Sequence, residues 1–328
     1  MPGQVNLAIG SKEKTVGWYD TPITSVAEAI RDLLENYSHI PADEVVPRIV
    51  ETVSSSPVIQ VSPVLIDHCT PSHSPHPRHT LTCGLTLFPY HQPQLTQPFQ
   101  RDKIWDVFPW PCVGQFRFLD LSLSRQPSYP RILSLLQSGS VRLLDVGCCF
   151  AQDLRKFVRD GAPSSSLYGL EIQSEFIELG YEFFADRDSF RGRFINADLL
   201  DRSNPEVKKL EGTLGIVQLG MVLHIWDLEG QTGACERVVE LLKDERGVLV
   251  VGQSVGNVEG KEFPARGRMI FKHDVETFGK MWDEVGRRTG TSWVVRARLD
   301  EGLGIDERKR NWDEPSTRRL SFEVERVA

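Results

Sequence analysis

The stretch "VRLLDVGCCFAQDL" (141–154) decides how this chain is read. Mostly apolar residues lead into Asp145, Gly147 and a run of small side chains. The pattern predicts a buried strand over 141–146, a sharp turn, and a helix whose N-terminus starts near Phe150. A ligand-holding turn of this kind is ordinarily rich in glycine, because the backbone must turn tightly and approach the ligand. Here Gly147 stands alone, with Cys148, Cys149 and Ala151 where further glycines are expected.

Two phosphate-binding turns fail on these residues. A dinucleotide loop needs G-x-G-x-x-G, with the second glycine admitting a pyrophosphate to the backbone and the third letting helix pack on strand. Counted from Gly147, those positions are Cys149 and Gln152. A Walker loop fails because no G-K-[ST] follows. A ligand without phosphates relaxes the demand. S-adenosylmethionine has an adenosine, a sulfonium cation and an amino-acid tail. A turn through Gly147 and Cys149 must still lie close to it, yet small side chains can replace glycines. The helix N-terminus can favour the tail carboxylate through its free N–H groups, and Asp145 can favour the cationic part.

Working outward, "SLYGLEIQSEF" (166–176) is a strand ending in Glu171. That lies roughly ~20 residues onward, where a dinucleotide fold keeps its ribose-binding acid. Glu171 can accept both ribose hydroxyls, and Ile172 can lie against the adenine face. "RFINADLLD" (193–201) ends a third strand at Ala197 and Asp198. Asp198 can accept from the adenine amine, and the Leu199 N–H can donate to a ring nitrogen. Singly, each acid reads as a solvated strand end. Asp145, Glu171 and Asp198 at successive strand ends read together as a ligand edge, since open α/β sheets bind there. In "LGIVQLGMVLHIWDL" (214–228), Gln218 is expected beside the sulfonium and the incoming substrate. His224 has two readings. It is a base for a hydroxyl nucleophile, or a structural residue on a helix beside Trp226. The structural one is preferred, because a carboxylate nucleophile needs no base.

Strands are predicted at 141–146, 166–171, 192–196, 214–219 and 247–253, with helices between them, which implies a parallel doubly wound sheet. Gly247 reads as the C-cap of the helix in "ACERVVELLKDERG" (234–247). Near the end of the chain, "SWVVRARL" and "RRLSFEVERV" flank a charged loop, and Leu320, Phe322 and Val324 alternate with polar neighbours. They predict an antiparallel pair at the sheet end. The fold class is therefore α/β, a Rossmann-like doubly wound sheet closed by an antiparallel C-terminal pair, the arrangement of class I methyltransferases. An N-terminal helical lid precedes it. "TSVAEAIRDLLENYS" (24–38) predicts a helix with a Ser25–Glu28 capping box and an apolar face of Val26, Ile30, Leu33, Leu34 and Tyr37. Pro41 opens a second, shorter helix.

Composition narrows the function. A formal net charge of -7, without a Lys/Arg block, argues against a nucleic-acid binder. No apolar run reaches the ~18 residues of a membrane span. The first residues lack a secretory signal, and six cysteines in 328 residues make no disulfide framework. A cytoplasmic chain with reduced thiols is expected. Residues 52–100 stand apart, with two charged side chains, five of the eight histidines and eight of the twenty prolines. Metal binding by His73, His76 and His79 lacks a scaffold to aim the rings, so no metal is expected. Two readings remain, a disordered insertion or the translation of an unspliced intron. If Glu51 is joined to Gln100, Ile49 and Ile104 fall seven residues apart, which is helical spacing, and Phe108 continues the face. The organisation is an N-terminal helical segment (1–51), an insertion (52–100), a helical lid and substrate wall (101–139) and a donor-binding catalytic domain (140–328).

"DKIWDVFPWPCVGQFRFLDLSL" (102–123), "LDVGCCFAQDLRKFVRDGAP" (144–163), "LYGLEIQSEFIELGYEFFAD" (167–186), "FINADLLD" (194–201) and "RRTGTSWVVRARLDE" (287–301) resemble the fungal methyltransferases of meroterpenoid pathways, of the austinol, andrastin and terretonin type. The resemblance covers almost the whole chain except 52–100. It implies S-adenosylmethionine as donor and a small polycyclic secondary metabolite as acceptor, with methyl esterification of a carboxylic acid as the reaction type. It carries cofactor roles onto Glu171–Ile172 and Ala197–Leu199. Trp105, Phe108, Trp110, Phe116 and Phe118 offer an apolar wall, or simply core. Arg117 can pair an acceptor carboxylate bidentately or brace the donor's tail. The alternative is a binding-only relative whose lid is disrupted by 52–100. An oxidoreductase is disfavoured by the failed glycine pattern. The sequence leaves the oligomeric state open, a homodimer included.

Overall fold

The structure is a computed structural model that describes residues 10–19, 25–49, 101–265, 267–301 and 314–328. The 52–100 insertion lies outside them, and so does the junction at which one helix would have been split. The elements run α1 (Glu28–Asp32), α2 (Ala42–Ile49), α3 (Arg101–Val107), α4 (Pro111–Gly114), α5 (Tyr129–Gln137), β1 (Leu143–Val146), α6 (Gln152–Arg159), β2 (Leu167–Glu171), α7 (Ser174–Phe184) and β3 (Arg193–Asn196). They continue as α8 (Pro205–Lys208), β4 (Ile216–Gly220), α9 (Leu228–Leu241), β5 (Leu249–Asn257), β6 (Lys261–Ala265), β7 (Arg268–Lys272), α10 (Val275–Thr289), β8 (Trp293–Asp300) and β9 (Thr317–Arg326).

Seven strands form one sheet in the order β3-β2-β1-β4-β5-β9-β8. β1 to β5 are parallel, and β9 enters antiparallel between β5 and the edge strand β8. Strand alternation sorts side chains to two faces. Leu144, Val217 and Val250 join α9 and α10 in one core, while Leu143, Ile216 and Leu249 join α5 and α6 in another. Both faces are covered, so β1 and β2 are buried along their whole length. A third core gathers Trp18, Ile30, Leu33, Leu34, Ile49, Ile104 and Trp105 around Phe150, Phe176 and Phe183. The N-terminal segments thus close over the β1–α6 turn.

Three local expectations change. The Ser25–Glu28 capping box is absent. Ala27 is the N-cap, no side chain caps it, and Glu28 is the first helical residue rather than the third. That helix then loosens into a π-helical turn over Leu33–Tyr37. Gly247 is not a helix C-cap. α9 stops at Leu241 because Leu242 pairs in extended form with Leu214, and Lys243 N–H donates to the Leu214 carbonyl at 2.8 Å. Gly247 instead turns the chain into β5 at φ 82°, with its N–H on the Arg326 carbonyl. The helix after the central turn starts at Gln152, with Ala151 as its N-cap. The β6–β7 hairpin was not anticipated. Pro264 argues against a central strand, but a two-stranded sheet has only edges, where proline is tolerated.

Candidate active site

The turn after β1 answers the question its composition raises. Gly147, Cys149 and Ala151 all lie in the left-handed region, at φ 67°, 51° and 50°. The alternate positions keep a glycine-like backbone although two of them carry a Cβ. Such a residue is held against an intrinsic preference of about 1–2 kcal/mol. The surroundings hold it. Gly147 and Cys148 N–H both donate to the Leu170 carbonyl at 2.8 and 3.2 Å, and Ala151 N–H donates to the Cys148 carbonyl at 2.6 Å. Gly169 on β2 must be glycine, since a Cβ there would sit 2.8 Å from Cys148 Sγ and 2.6 Å from the Phe194 ring.

Glu171 ends β2 at the mouth of this turn and is buried. Its Oε2 accepts from Cys149 N–H at 2.9 Å and its Oε1 from Gln173 N–H at 3.0 Å. Burial raises its carboxyl above the ordinary range, against the pull of these backbone donors. Each oxygen has a second lone pair for a ligand hydroxyl. Ile172 beside it is 60% exposed, an apolar side chain standing open at a strand end. Asn196, which sequence reasoning missed, braces this corner. Its Nδ2 donates to the Glu171 and Ile172 carbonyls at 3.0 and 2.9 Å. Ala197 N–H reaches the Glu171 carbonyl at 3.3 Å. Asp198 is exposed, with Oδ1 accepting from Leu200 N–H at 2.9 Å, and Leu199 is buried beside it. Glu171–Ile172 and Ala197–Leu199 therefore form one continuous edge.

Asp145 and Gln218 are register partners on β1 and β4, both buried. Gln218 Nε2 donates to Asp153 Oδ2 at 3.1 Å, so its amide is tied to the first turn of α6. Burial first, then the charges of Asp153 and Glu171, push the Asp145 carboxyl well up. A cation brought to this turn would relieve that stress. Asp153 is a second residue the sequence concealed, because an acid in a first helical turn looks ordinary there. Burial, and then the nearby Asp120, drive it up to about 7 against the Gln218 amide.

His224 sits in a short 3-10 turn, Leu223–Ile225. Its Nδ1 lies 3.4 Å from both Ser254 Oγ and Val255 N on β5. Those contacts hold the ring against the sheet and favour the structural reading. Arg117 opens the 3-10 turn Arg117–Leu119, next to Phe116. Phe118 of that turn meets the Phe150 ring edge-on at 5.2 Å. Trp105, Phe116 and Phe118 are buried in the N-terminal core, which leaves Phe108 and Trp110, half-buried and 4.5 Å apart, as the open part of the expected wall.

A sheet of this order, with its last strand inserted antiparallel and a left-handed turn after β1, defines a class I S-adenosylmethionine-dependent methyltransferase. The residues fit that donor, with a tight left-handed turn at 147–151, the buried acids Asp145 and Asp153 beside it, and the Glu171 carboxylate where β2 ends. The family profile described as "Meroterpenoid methyltransferase N-terminal domain" matches residues 100–119. The chain is 37% identical over 317 residues to O-methyltransferase atr3 of Stereocaulon alpinum, covering 96% of this chain and 77% of that one. It is 32% identical over 284 residues to methyltransferase adrK of Penicillium roqueforti, covering 84% and 83%. Among solved structures, the 1,6-didemethyltoxoflavin-N1-methyltransferase of Burkholderia thailandensis is similar at a TM-score of 0.43 and 13% identity, covering 66% of this chain and 83% of that one. The chain belongs to the fungal meroterpenoid-pathway methyltransferases, and S-adenosylmethionine is its methyl donor.

Proposed function

We propose that this enzyme methylates a carboxylate oxygen of a small polycyclic acceptor of the meroterpenoid type and releases a methyl ester. The supporting observation is the position of Arg117, on a turn whose Phe118 rests on the donor loop, with Phe108 and Trp110 half-buried at the edge of the core that holds Phe118. A guanidinium there suits a carboxylate, which it can hold through two parallel hydrogen bonds. Two relatives carry the name O-methyltransferase, atr3 and phiE, which favours oxygen over carbon or nitrogen.

When bound, S-adenosylmethionine supplies a methyl group on a positively charged sulfur. The chain's own task is then alignment and exclusion of water, the main source of rate in a displacement between two held partners. Glu171 would accept the ribose hydroxyls, Ile172 would cover the adenine face, and Asp198 with the Leu199 N–H would read the adenine edge. Gly147 and Cys149 would give the tail its close backbone approach, and Asp145 would face the cation, with Gln218 beside it. A carboxylate is already ionised at neutral pH, so His224 need move no proton. No helix among the described residues is long and apolar enough to cross a membrane. We place the reaction in the cytoplasm, where free thiols such as those of Cys148 and Cys149 stay reduced.

Arg117→Lys tests the assignment. Lysine keeps the charge and loses the planar fork. The Michaelis constant for the acceptor should rise about tenfold or more, with donor affinity unchanged. Mass spectrometry of a host metabolite extract incubated with labelled donor identifies the methylated product. Loss of donor binding in the variant would move Arg117 to the donor's tail, and a product methylated on carbon or nitrogen would refute the ester.

A further inference from the structure

Gln115 follows helix α4 and precedes Phe116, whose backbone is left-handed at φ 56°. Its side chain is 6% exposed, and both Nε2 and Oε1 are buried with no hydrogen-bond partner among the described residues. An amide in that state has given up water and gained nothing in return. Native interiors rarely keep such a group unless a ligand or a water completes it. A phenylalanine held left-handed beside it is a second unfavourable feature of the same turn.

We infer that Gln115 binds the amino-acid tail of the methyl donor, an inference that rests on the donor placement proposed above. The turn lies over the donor loop. Phe118, three residues on, sets its ring against Phe150 of that loop at 5.2 Å. Cys112, three residues back, and Cys149 of that loop pack against the same core. With the ribose at Glu171, residues 147–151 and the start of α6 would hold the tail, which would bring it to this turn. The chemistry of the amide selects the group it meets. Nε2 donates and Oε1 accepts, side by side. A lone carboxylate presents only acceptors and would leave Oε1 facing negative charge. An α-amino acid presents ammonium N–H groups next to carboxylate oxygens. Nε2 can then donate to the carboxylate while Oε1 accepts from the ammonium, and neither atom stays orphaned.

The test uses two ligands and the full chain. S-adenosylhomocysteine carries the tail, whereas methylthioadenosine keeps the nucleoside and the sulfur without it. Gln115→Met preserves length and burial and removes both hydrogen-bonding atoms. Calorimetry should show S-adenosylhomocysteine affinity falling about tenfold or more, with methylthioadenosine changing by less than about twofold. Gln115→Glu, which sets a negative charge against the tail carboxylate, should show the same selective loss. A parallel loss for both ligands would mean that Gln115 only packs, and would overturn the inference. Unchanged affinity for both would overturn it too, and a raised Michaelis constant for the acceptor would then assign Gln115 to that molecule. A wild-type chain that binds neither ligand would refute the donor placement itself.

Discussion

Replacing Glu171 by alanine is expected to cost more than a ribose contact. The carboxylate accepts from Cys149 N–H and Gln173 N–H, so it also ties the donor loop to the end of β2. Each backbone donor left unpaired in a buried site costs about 1–3 kcal/mol. Glu171→Ala should therefore weaken S-adenosylhomocysteine at least about tenfold by calorimetry and also lower the thermal midpoint. Unchanged affinity would remove the ribose role. Asp153 makes the opposite kind of prediction, because its carboxyl sits at about 7 instead of 3.8. A raised acid binds its proton more tightly when folded. Its stabilising contribution is full below the ordinary value and is lost as pH rises through about 7, on the order of a few kcal/mol. Asp153→Asn cannot titrate. It should be more stable than the wild type at about pH 8 and lose that advantage near about pH 4. Thermal melts across that range check it, and parallel curves would show that Asp153 does not titrate there.

The β1–α6 connection behaves as one element whose backbone outranks its side chains. Gly147, Cys149 and Ala151 share one left-handed conformation, yet they differ in what a Cβ meets. At Gly147 a Cβ would stand 3.3 Å from Val222 Cγ2 in addition to the backbone cost. Gly147→Ala should destabilise by about 1–2 kcal/mol and weaken donor binding. Ala151→Gly relieves the same backbone preference and should stay within about 1 kcal/mol of the wild type, since it also loosens the unfolded chain. Denaturant midpoints for the two variants should move apart. If both destabilise equally, the loop is held by side-chain packing rather than by backbone conformation.

Across the whole molecule, the N-terminal segments and the 101–121 segment meet in one core. Ile49 at the end of α2 and Ile104 and Trp105 in α3 are buried in the same core, beside Phe150 of the donor loop. That arrangement supports, as a proposal, one helix interrupted by the inserted residues 52–99. Deleting them should keep the protein folded, preserve or raise its thermal midpoint, and preserve or restore methyl transfer. Loop closure costs entropy that grows only slowly with length, so the gain in midpoint should be modest. Donor binding measured beside the melt decides it. A deletion variant that unfolds or no longer binds donor would make the segment a structural part of the enzyme.

The sequence alone determined the parallel sheet, its antiparallel closure and the edge of acids at the strand ends. Those rest on strand periodicity and on chain order, both of which are local. Glu171, Ile172, Ala197 and Asp198 were legible because strands β2 and β3 end where their apolar runs end. Only the tertiary structure decided what depends on neighbours distant in the chain. No spacing rule ties Gln218 to Asp153, which come from different elements 65 residues apart. Nothing in the local pattern around Asn196 marks it, and only the folded chain sets its amide across two carbonyls of the neighbouring strand end. The end of α9 was set by Leu214 pairing with Leu242, not by the glycine that follows. The missing glycines are the clearest case. A sequence shows that Cys149 and Ala151 are not glycine. Only the packing of β2, α6 and the N-terminal core can hold them in a glycine's conformation, because the preference it overrides is smaller than the contacts that impose it.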